Sequence, residues 1–276
     1  MTKTVFIPLT VLAAVVLYLC FWPVPAEPRS WTSPASPGYA GPHAVNTRLT
    51  NLKSISLGNE QGPEHIAIGP DGKLYAAVAS GNILRMNPDG SAQAVFARTG
   101  GRVLGFDFDG SGNLIAADAI KGLLSINPAG KVSVLADQVD GDPIRYADAV
   151  AVASDGMLYF SDASRRFSPA DWGGTFEASV LDILEQSATG RILAHDPRNK
   201  RTRTVAKGLS FANGVALSAD GQHLFVNETG RSRIWKIAVS ADDLDVAEPS
   251  QQAMVLLDNL PGYPDNLTRG MDGRIW

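Results

Sequence analysis

Asp155-Gly156-Met157-Leu158-Tyr159-Phe160 is an Asp-Gly turn running straight into an apolar strand. The same phrase returns as Asp71-Gly72-Lys73-Leu74-Tyr75, Gly112-Asn113-Leu114-Ile115, Asp220-Gly221-Gln222-His223-Leu224-Phe225 and Asp272-Gly273-Arg274-Ile275-Trp276. A second phrase precedes each turn. It reads Gly62-Pro63-Glu64-His65, Leu104-Gly105-Phe106-Asp107, Asp148-Ala149-Val150, Phe211-Ala212-Asn213-Gly214 and Tyr263-Pro264-Asp265-Asn266. Measured from Glu64 through Gly105, Asp148, Asn213 and Asp265, the steps are 41, 43, 65 and 52 residues. A supersecondary unit repeated at such a period marks a solenoid or a propeller. Three to four short strands per unit select an all-β propeller. The fifth unit stops at Trp276 inside its first strand, so the expectation is a C-terminally truncated propeller with about five blades.

The long third step has a local cause. Between Asp162 and Gly190 lies an insertion, and within it Glu177 to Glu185 reads as a helix with Val180, Leu181 and Leu184 on one face. Insertions in a repeat array fall on loops of one face, often the binding face. The segment is read as a lid, with a surface elaboration of no role as the alternative. Trp172 and Phe176 within it are candidate substrate-binding residues, or else they pack the lid down.

Composition narrows the class. A chain of 276 residues with 45% apolar side chains can bury one large core. A net charge of −4 gives no electrostatic footprint for nucleic acid, so no nucleic-acid partner is expected. The single cysteine, Cys20, excludes an internal disulfide and a cysteine-based metal cluster. It lies in an apolar run from Val5 to Trp22, about the length that crosses ~30 Å of hydrocarbon. Residues 1–22 are therefore read as an uncleaved signal anchor, or transmembrane helix. The protein would be single-pass, with its globular part on the non-cytoplasmic side, in periplasm or lumen; Lys3 follows the positive-inside rule. The alternative is a secreted protein after signal cleavage, although Val24-Pro25-Ala26 is a poor cleavage site. Residues 23–48, rich in Pro, Ser and Gly, are read as a stiff, uncompacted tether, and residues 49–276 as the incomplete propeller.

A propeller gathers equivalent positions of its blades around one axis. Glu64, Asp148, Asn213 and Asp265 share the approach to the innermost strand in four repeats, so they are expected at one mouth of the central channel. Carboxylates packed together raise one another's pKa. A hard divalent cation removes the conflict, and calcium takes 6–8 oxygen ligands from carboxylates, amides and water. No His or Cys cluster competes for a softer metal. The competing explanation is that Asp and Asn are common turn formers that bond their own backbone. His65 beside Glu64 is a weaker catalytic candidate. Asn227-Glu228-Thr229 and Asn266-Leu267-Thr268 match a glycosylation pattern, but both fall in inferred strand or site segments.

Gly101-Arg102-Val103-Leu104-Gly105, Ala117-Asp118-Ala119-Ile120-Lys121-Gly122-Leu123, Phe211-Ala212-Asn213-Gly214-Val215, Glu228-Thr229-Gly230-Arg231-Ser232-Arg233-Ile234 and Leu260-Pro261-Gly262-Tyr263-Pro264-Asp265-Asn266 resemble the strictosidine-synthase-like proteins. The resemblance runs from about Leu57 to the end. It implies a six-bladed propeller, within a wider superfamily of gluconolactonases, regucalcins and paraoxonases that bind calcium in the channel and hydrolyse lactones and esters. By that resemblance Glu64, Asn213 and Asp265 fall on calcium-ligand positions. Asp148 falls where asparagine is more usual, and Asn266 is a further ligand candidate. Leu104 stands where paraoxonases carry a proton-shuttling histidine. The implied function is a calcium-dependent hydrolase acting on a small-molecule lactone or ester, with Asp265 as general base. Two alternatives stay open: a non-catalytic membrane-tethered binding propeller, and a carbon–nitrogen lyase or synthase of the strictosidine-synthase type.

Overall fold

A computed structural model describes residues 3–270 and 272–276; residues 1 and 2 of the expected anchor lie outside it. The body is built from four consecutive four-stranded antiparallel meanders; the third gains a fifth strand at its edge, Leu244–Asp245, which pairs parallel to Arg201–Leu209. The first comprises Ile66–Ile68, Leu74–Ala77, Asn82–Met86 and Ala94–Arg98. Val103–Phe108, Leu114–Asp118, Gly122–Ile126 and Val132–Ala136 form the second. Ala147–Val152, Leu158–Asp162, Gly190–Asp196 and Arg201–Leu209 form the third, and Ala212–Leu217, His223–Glu228, Arg233–Ala238 and Ala253–Leu257 the fourth. Where about five blades were expected, the fifth unit contributes a narrow hairpin closed by an Arg269–Ile275 bridge.

The repeated Asp-Gly phrase does the same work each time. Asp71, Asp109, Asp155, Asp220 and Asp272 each accept, on Oδ1, the backbone N–H two residues on, at 2.9–3.1 Å. Such self-bonding Asx turns send the chain back from the first strand into the second. A second repeat lies at the far end of the second strand. Leu114–Asp118, Leu158–Asp162 and His223–Glu228 all end in an acid whose carboxylate accepts backbone N–H groups of the loop entering the same sheet: Arg102 N–H on Asp118, Arg145 and Tyr146 N–H on Asp162, Ser210 N–H on Glu228. The corresponding residue of the first sheet is Val78. These buried acids are structural anchors, with Arg191 paired to Asp162 and Arg233 to Glu228.

Alternation within the strands gives each sheet two apolar faces, and adjacent sheets pack face to face. Ile83, Val103, Phe106 and Leu124 fill the space between the first and second sheets. Ile115, Leu123, Phe160 and Leu193 fill the next layer, and Ile192, Val205, Leu224 and Val226 the one after. Phe106, Phe160, Leu123 and Leu193 are fully buried, each contributing about 1.5–3 kcal/mol by leaving water. The inner strands Val103–Phe108, Ala147–Val152 and Ala212–Leu217 stand side by side. Asp107 ties the first two together by accepting the Val152 N–H at 2.9 Å.

Helix α1 spans Lys3–Phe21, with Pro8 inside it. Among the described residues no helix is long and apolar enough to cross a membrane. Helix α2 covers Thr175–Glu185 in the insertion of the third sheet. Its apolar face is not the expected one. Val180 and Leu184 are exposed, while Ala178, Asp182 and Glu185 are buried, with Leu181 and Ile183 packed beside Tyr146, Phe167 and Phe211. The helix docks through a mixed face: Ala178, Leu181 and Ile183 join the apolar cluster, Glu185 pairs with Arg166, and Asp182 is buried beside them. The proline-rich segment also departs from an uncompacted tether. Glu27 N–H donates to Glu185 Oε2 at 2.8 Å and Arg29 N–H to the Glu185 carbonyl at 2.7 Å. Arg166 pairs with Glu185 at 2.7 Å and reaches the Pro25 carbonyl. Further on, the Ala35 carbonyl accepts Asn259 Nδ2 at 2.6 Å.

Candidate functional site

Three inner strands carry a register break at the same place: between Val103 and Gly105, Ala147 and Val150, and Ala212 and Val215. A break of this kind re-aims side chains, and two of the three fall on Asp148 and Asn213. Glu64 immediately precedes the inner strand of the first sheet, its N–H on the Ala77 carbonyl at 3.0 Å. Asp265 enters the fifth unit. These four side chains line one cavity of ≈ 260 Å³ at the end where the inner strands begin. Asn266 is not on the wall; its Nδ2 donates to the Glu64 carbonyl at 3.3 Å, joining the last unit to the first.

The close approach depends on residues without side chains. Gly214 N–H donates to the Asp265 carbonyl at 3.1 Å, and a Cβ on Gly214 would stand 2.4 Å from that oxygen. Likewise a Cβ on Gly105 would stand 2.7 Å from the Asp148 carbonyl. In each case the residue after one blade's site position lets the next blade's site residue come in. The sequence places both glycines in the phrase before the turn, Gly105 as the anchor of its repeat, and their recurrence one place after Leu104 and Asn213 is the signal of the close approach.

Electrostatically the cavity is acidic. Asp148 is 5% exposed and receives no hydrogen bond from any described residue. Burial, then the neighbouring Asp265 and Glu64, push its carboxyl well above the usual carboxylate range. Glu64 is raised mainly by burial, against the attraction of Arg102, whose Nη2 lies 3.0 Å from Glu64 Oε2. Arg102 is a site residue that sequence reading missed, although it stands just before an inner strand, as Glu64 does. Tyr146 also lines the cavity. Its hydroxyl donates to the Thr175 carbonyl at 2.8 Å, fastening the start of α2, and burial and nearby acids hold the phenol protonated.

Phe176 lines the cavity and is joined by Phe211 and Tyr263. Trp172 does not reach it. Its ring packs edge-on against Phe167 at 5.5 Å, in the apolar cluster under α2, so its placement is that of a lid-packing residue. His65 sits edge-on to Phe106 at 4.7 Å, and burial lowers its pKa to about 4, which leaves the ring neutral. Leu104, not a histidine, forms the wall beside Asp148.

The donor chemistry fits a hard cation. Asn213 Oδ1 is buried without a hydrogen-bond partner, Asp148 is buried without a donor, and two further carboxylates face the same space. Among the described residues no three His, Cys, Asp or Glu side chains are grouped closely enough to hold a metal alone. Any cation there would draw on the amide oxygen as well as the acids, and on water, as calcium commonly does.

A model of the strictosidine synthase-like N-terminal region matches residues 41–86, and a strictosidine synthase model matches residues 148–242. Protein STRICTOSIDINE SYNTHASE-LIKE 4 of Arabidopsis thaliana is 37% identical over 242 residues, 85% of this chain and 61% of its own length. STRICTOSIDINE SYNTHASE-LIKE 7 of the same plant is 34% identical over 280 residues, covering 99% of this chain and 70% of the relative. Adipocyte plasma membrane-associated protein of Salmo salar is 31% identical over 281 residues, 95% of this chain and 63% of that protein. The chain thus spans less than two thirds of the first and third of these relatives. Among solved structures, a gluconolactonase from Xanthomonas campestris superposes with a TM-score of 0.62 at 20% identity, covering 79% of this chain and 70% of that one. A calcium-binding regucalcin from Agrobacterium tumefaciens gives 0.55 at 16% identity, over 78% and 66% of the two chains. These likenesses establish the propeller-like all-β fold.

Proposed function

Since the chain belongs to the strictosidine synthase-like family, we propose that it is a calcium-dependent hydrolase of lactones or related esters. The observation that carries the reading is the buried, donorless Asp148 facing Glu64, Asp265 and the unpartnered Asn213 Oδ1 across one cavity. Bound there, calcium would supply Lewis-acid polarisation of a substrate carbonyl. Glu64, Asp148, Asn213 and Asp265 would hold it, with Asn266 fixing Glu64 through its carbonyl rather than ligating. Asp265, the most open of the acids, is the candidate base that takes a proton from water. Arg102 neutralises part of the charge on Glu64. Phe176 and Tyr263 shield the mouth and hold the non-reacting part of the substrate.

In this reading the four sheets belong to a six-bladed ring, 49–276 being the propeller portion, and helix α1 within 1–22 is a membrane anchor joined by the 23–48 segment. Two relatives support the anchor through the words plasma membrane-associated in their names. The body would lie on the non-cytoplasmic side. A panel of lactones and esters, assayed with and without chelator, tests the activity. Turnover that is lost in chelator and in the Glu64→Ala, Asp265→Ala double variant is the expected result; equal turnover in all samples would falsify the mechanism. The rival, a tethered propeller that binds its ligand without turning it over, takes support from Leu104, an aliphatic side chain on the wall next to the acids. Calcium-dependent stabilisation with no turnover on any substrate would decide for it.

A further inference from the structure

The residue just before the end acid of the second strand, or before Val78 in the first sheet, differs between blades in a way that follows the site. In the first and second sheets it is Ala77 and Ala117; in the third and fourth it is Ser161 and Asn227. The latter two sheets are those whose inner-strand breaks carry Asp148 and Asn213. Ser161 Oγ accepts the Ala149 N–H at 3.0 Å, one residue from Asp148. Asn227 is 1% exposed, so its glycosylation pattern is out of reach of solvent. Its Nδ2 donates past the break to the carbonyl of Asp265, the same oxygen that accepts Gly214 N–H. Two residues on, Thr229 Oγ1 donates to the Pro264 carbonyl at 2.7 Å. The segment 263–266 contains no regular strand, and these three donors all come from the fourth blade.

We propose that Asn227 and Thr229 are positioning residues that clamp the backbone of Pro264 and Asp265, so that the Asp265 carboxylate faces Asp148 and Glu64. The inference rests on the site reading above for its consequence, and on the hydrogen bonds alone for its geometry. A backbone held at two successive carbonyls leaves the Asp265 side chain little freedom except rotation about its own bonds. Residues that orient a ligand from behind typically alter metal affinity or activity by roughly 10–100-fold when removed.

Two measurements on the full chain separate the clamp from the metal. Hydrogen exchange in the presence of chelator reads the clamp. Asn227→Ala and Thr229→Val should each speed exchange at Gly214, whose N–H is held on the Asp265 carbonyl, with the strand Leu114–Asp118 unchanged and Thr229→Ser behaving as wild type. Calcium titration by calorimetry reads the consequence. Asn227→Ala should weaken calcium binding roughly 10–100-fold, with Thr229→Ser retaining wild-type affinity. Unchanged exchange at Gly214 in both Asn227→Ala and Thr229→Val overturns the clamp. Faster exchange with unaltered calcium affinity overturns its positioning role. Wild-type protein that binds no calcium at all sinks the metal reading and with it the consequence for Asp265, while the exchange data still decide the clamp. If Asn227→Ala fails to fold, Thr229→Val, which keeps the size of the side chain, supplies both measurements.

Discussion

Both ends of the blades are rich in acids, and the two sets sit in opposite surroundings. At the turn end, Asp71, Asp155 and Asp220 each accept their own backbone two residues on. There Asp71 and Asp220 are held below the usual carboxylate pKa: at Asp71 burial is the largest single influence but is outweighed by Arg85, Lys73 and Tyr75 together, and Asp220 is lowered chiefly by Ser218. At the cavity end, Asp148 has no donor and is pushed the other way by burial and like charge. The same residue type completes a turn in one place and is left unpaired in the other. A buried acid with no donor and with like charges beside it is costly to the fold, and Asp148 alone of the cavity acids is placed so; Glu64 is paired with Arg102 and Asp265 is open to solvent.

The contrast can be broken by substitution at paired positions. The largest effect is expected from glycine. Gly214→Val would drive a side chain into the Asp265 carbonyl and should cost about 3 kcal/mol in urea unfolding. Gly156→Ala, at a left-handed turn with open space around it, should cost about 1 kcal/mol. Equal costs would mean that the cavity end is no tighter than the turn end. Next, calcium at about 100 times its dissociation constant should stabilise the folded chain by about 2.7 kcal/mol. Asp148→Ala should abolish most of that gain and Asp155→Ala none of it, read as shifts in melting temperature. A calcium response surviving Asp148→Ala would place the cation elsewhere.

A third test uses the buried acid under the lid. Asp182 has Ser164 and the Phe211 amide nearby but no hydrogen bond to either oxygen, and burial raises its pKa to about 7. The folded state therefore keeps this proton between roughly pH 4 and 7 while the unfolded chain loses it, so stability falls as pH rises through that window. Asp182→Asn should raise the melting temperature more at pH 8 than at pH 4, where both states are protonated to a similar degree. The charged groups around Asp182 include Glu185, which adds to the rise and is itself paired with Arg166. The smallest effect belongs to the turns. Asp155→Ala removes one exposed self-bond and should cost about 0.5 kcal/mol, with no change in calcium response.

How much of this was legible in the residues depends on whether a feature repeats. The Asp-Gly phrase recurs with strand-forming residues after it, so strands, blade order and the convergence of Glu64, Asp148, Asn213 and Asp265 could all be read from spacing. Features that occur once could not. The insertion was recognisable as a helix, but its buried face was not, because Asp182 and Glu185 pack inward beside Ala178, Leu181 and Ile183 while Val180 and Leu184 face out; an apolar-face rule does not anticipate acids on the buried side. Trp172 and Phe176 look alike as insertion aromatics, yet only a three-dimensional partner, Phe167, decides that one packs down and the other lines the cavity. Arg102 and Asn227 lie in repeated phrases without being repeated residues, and departures from a repeat carry meaning only once the neighbours they reach are known.

The docking of Glu27 and Arg29 onto Glu185 joins the N-terminal helix to α2 by a short connection. Only five residues separate Phe21, the last of α1, from Glu27, so the chain between the two helices has little slack before it meets the last turn of α2.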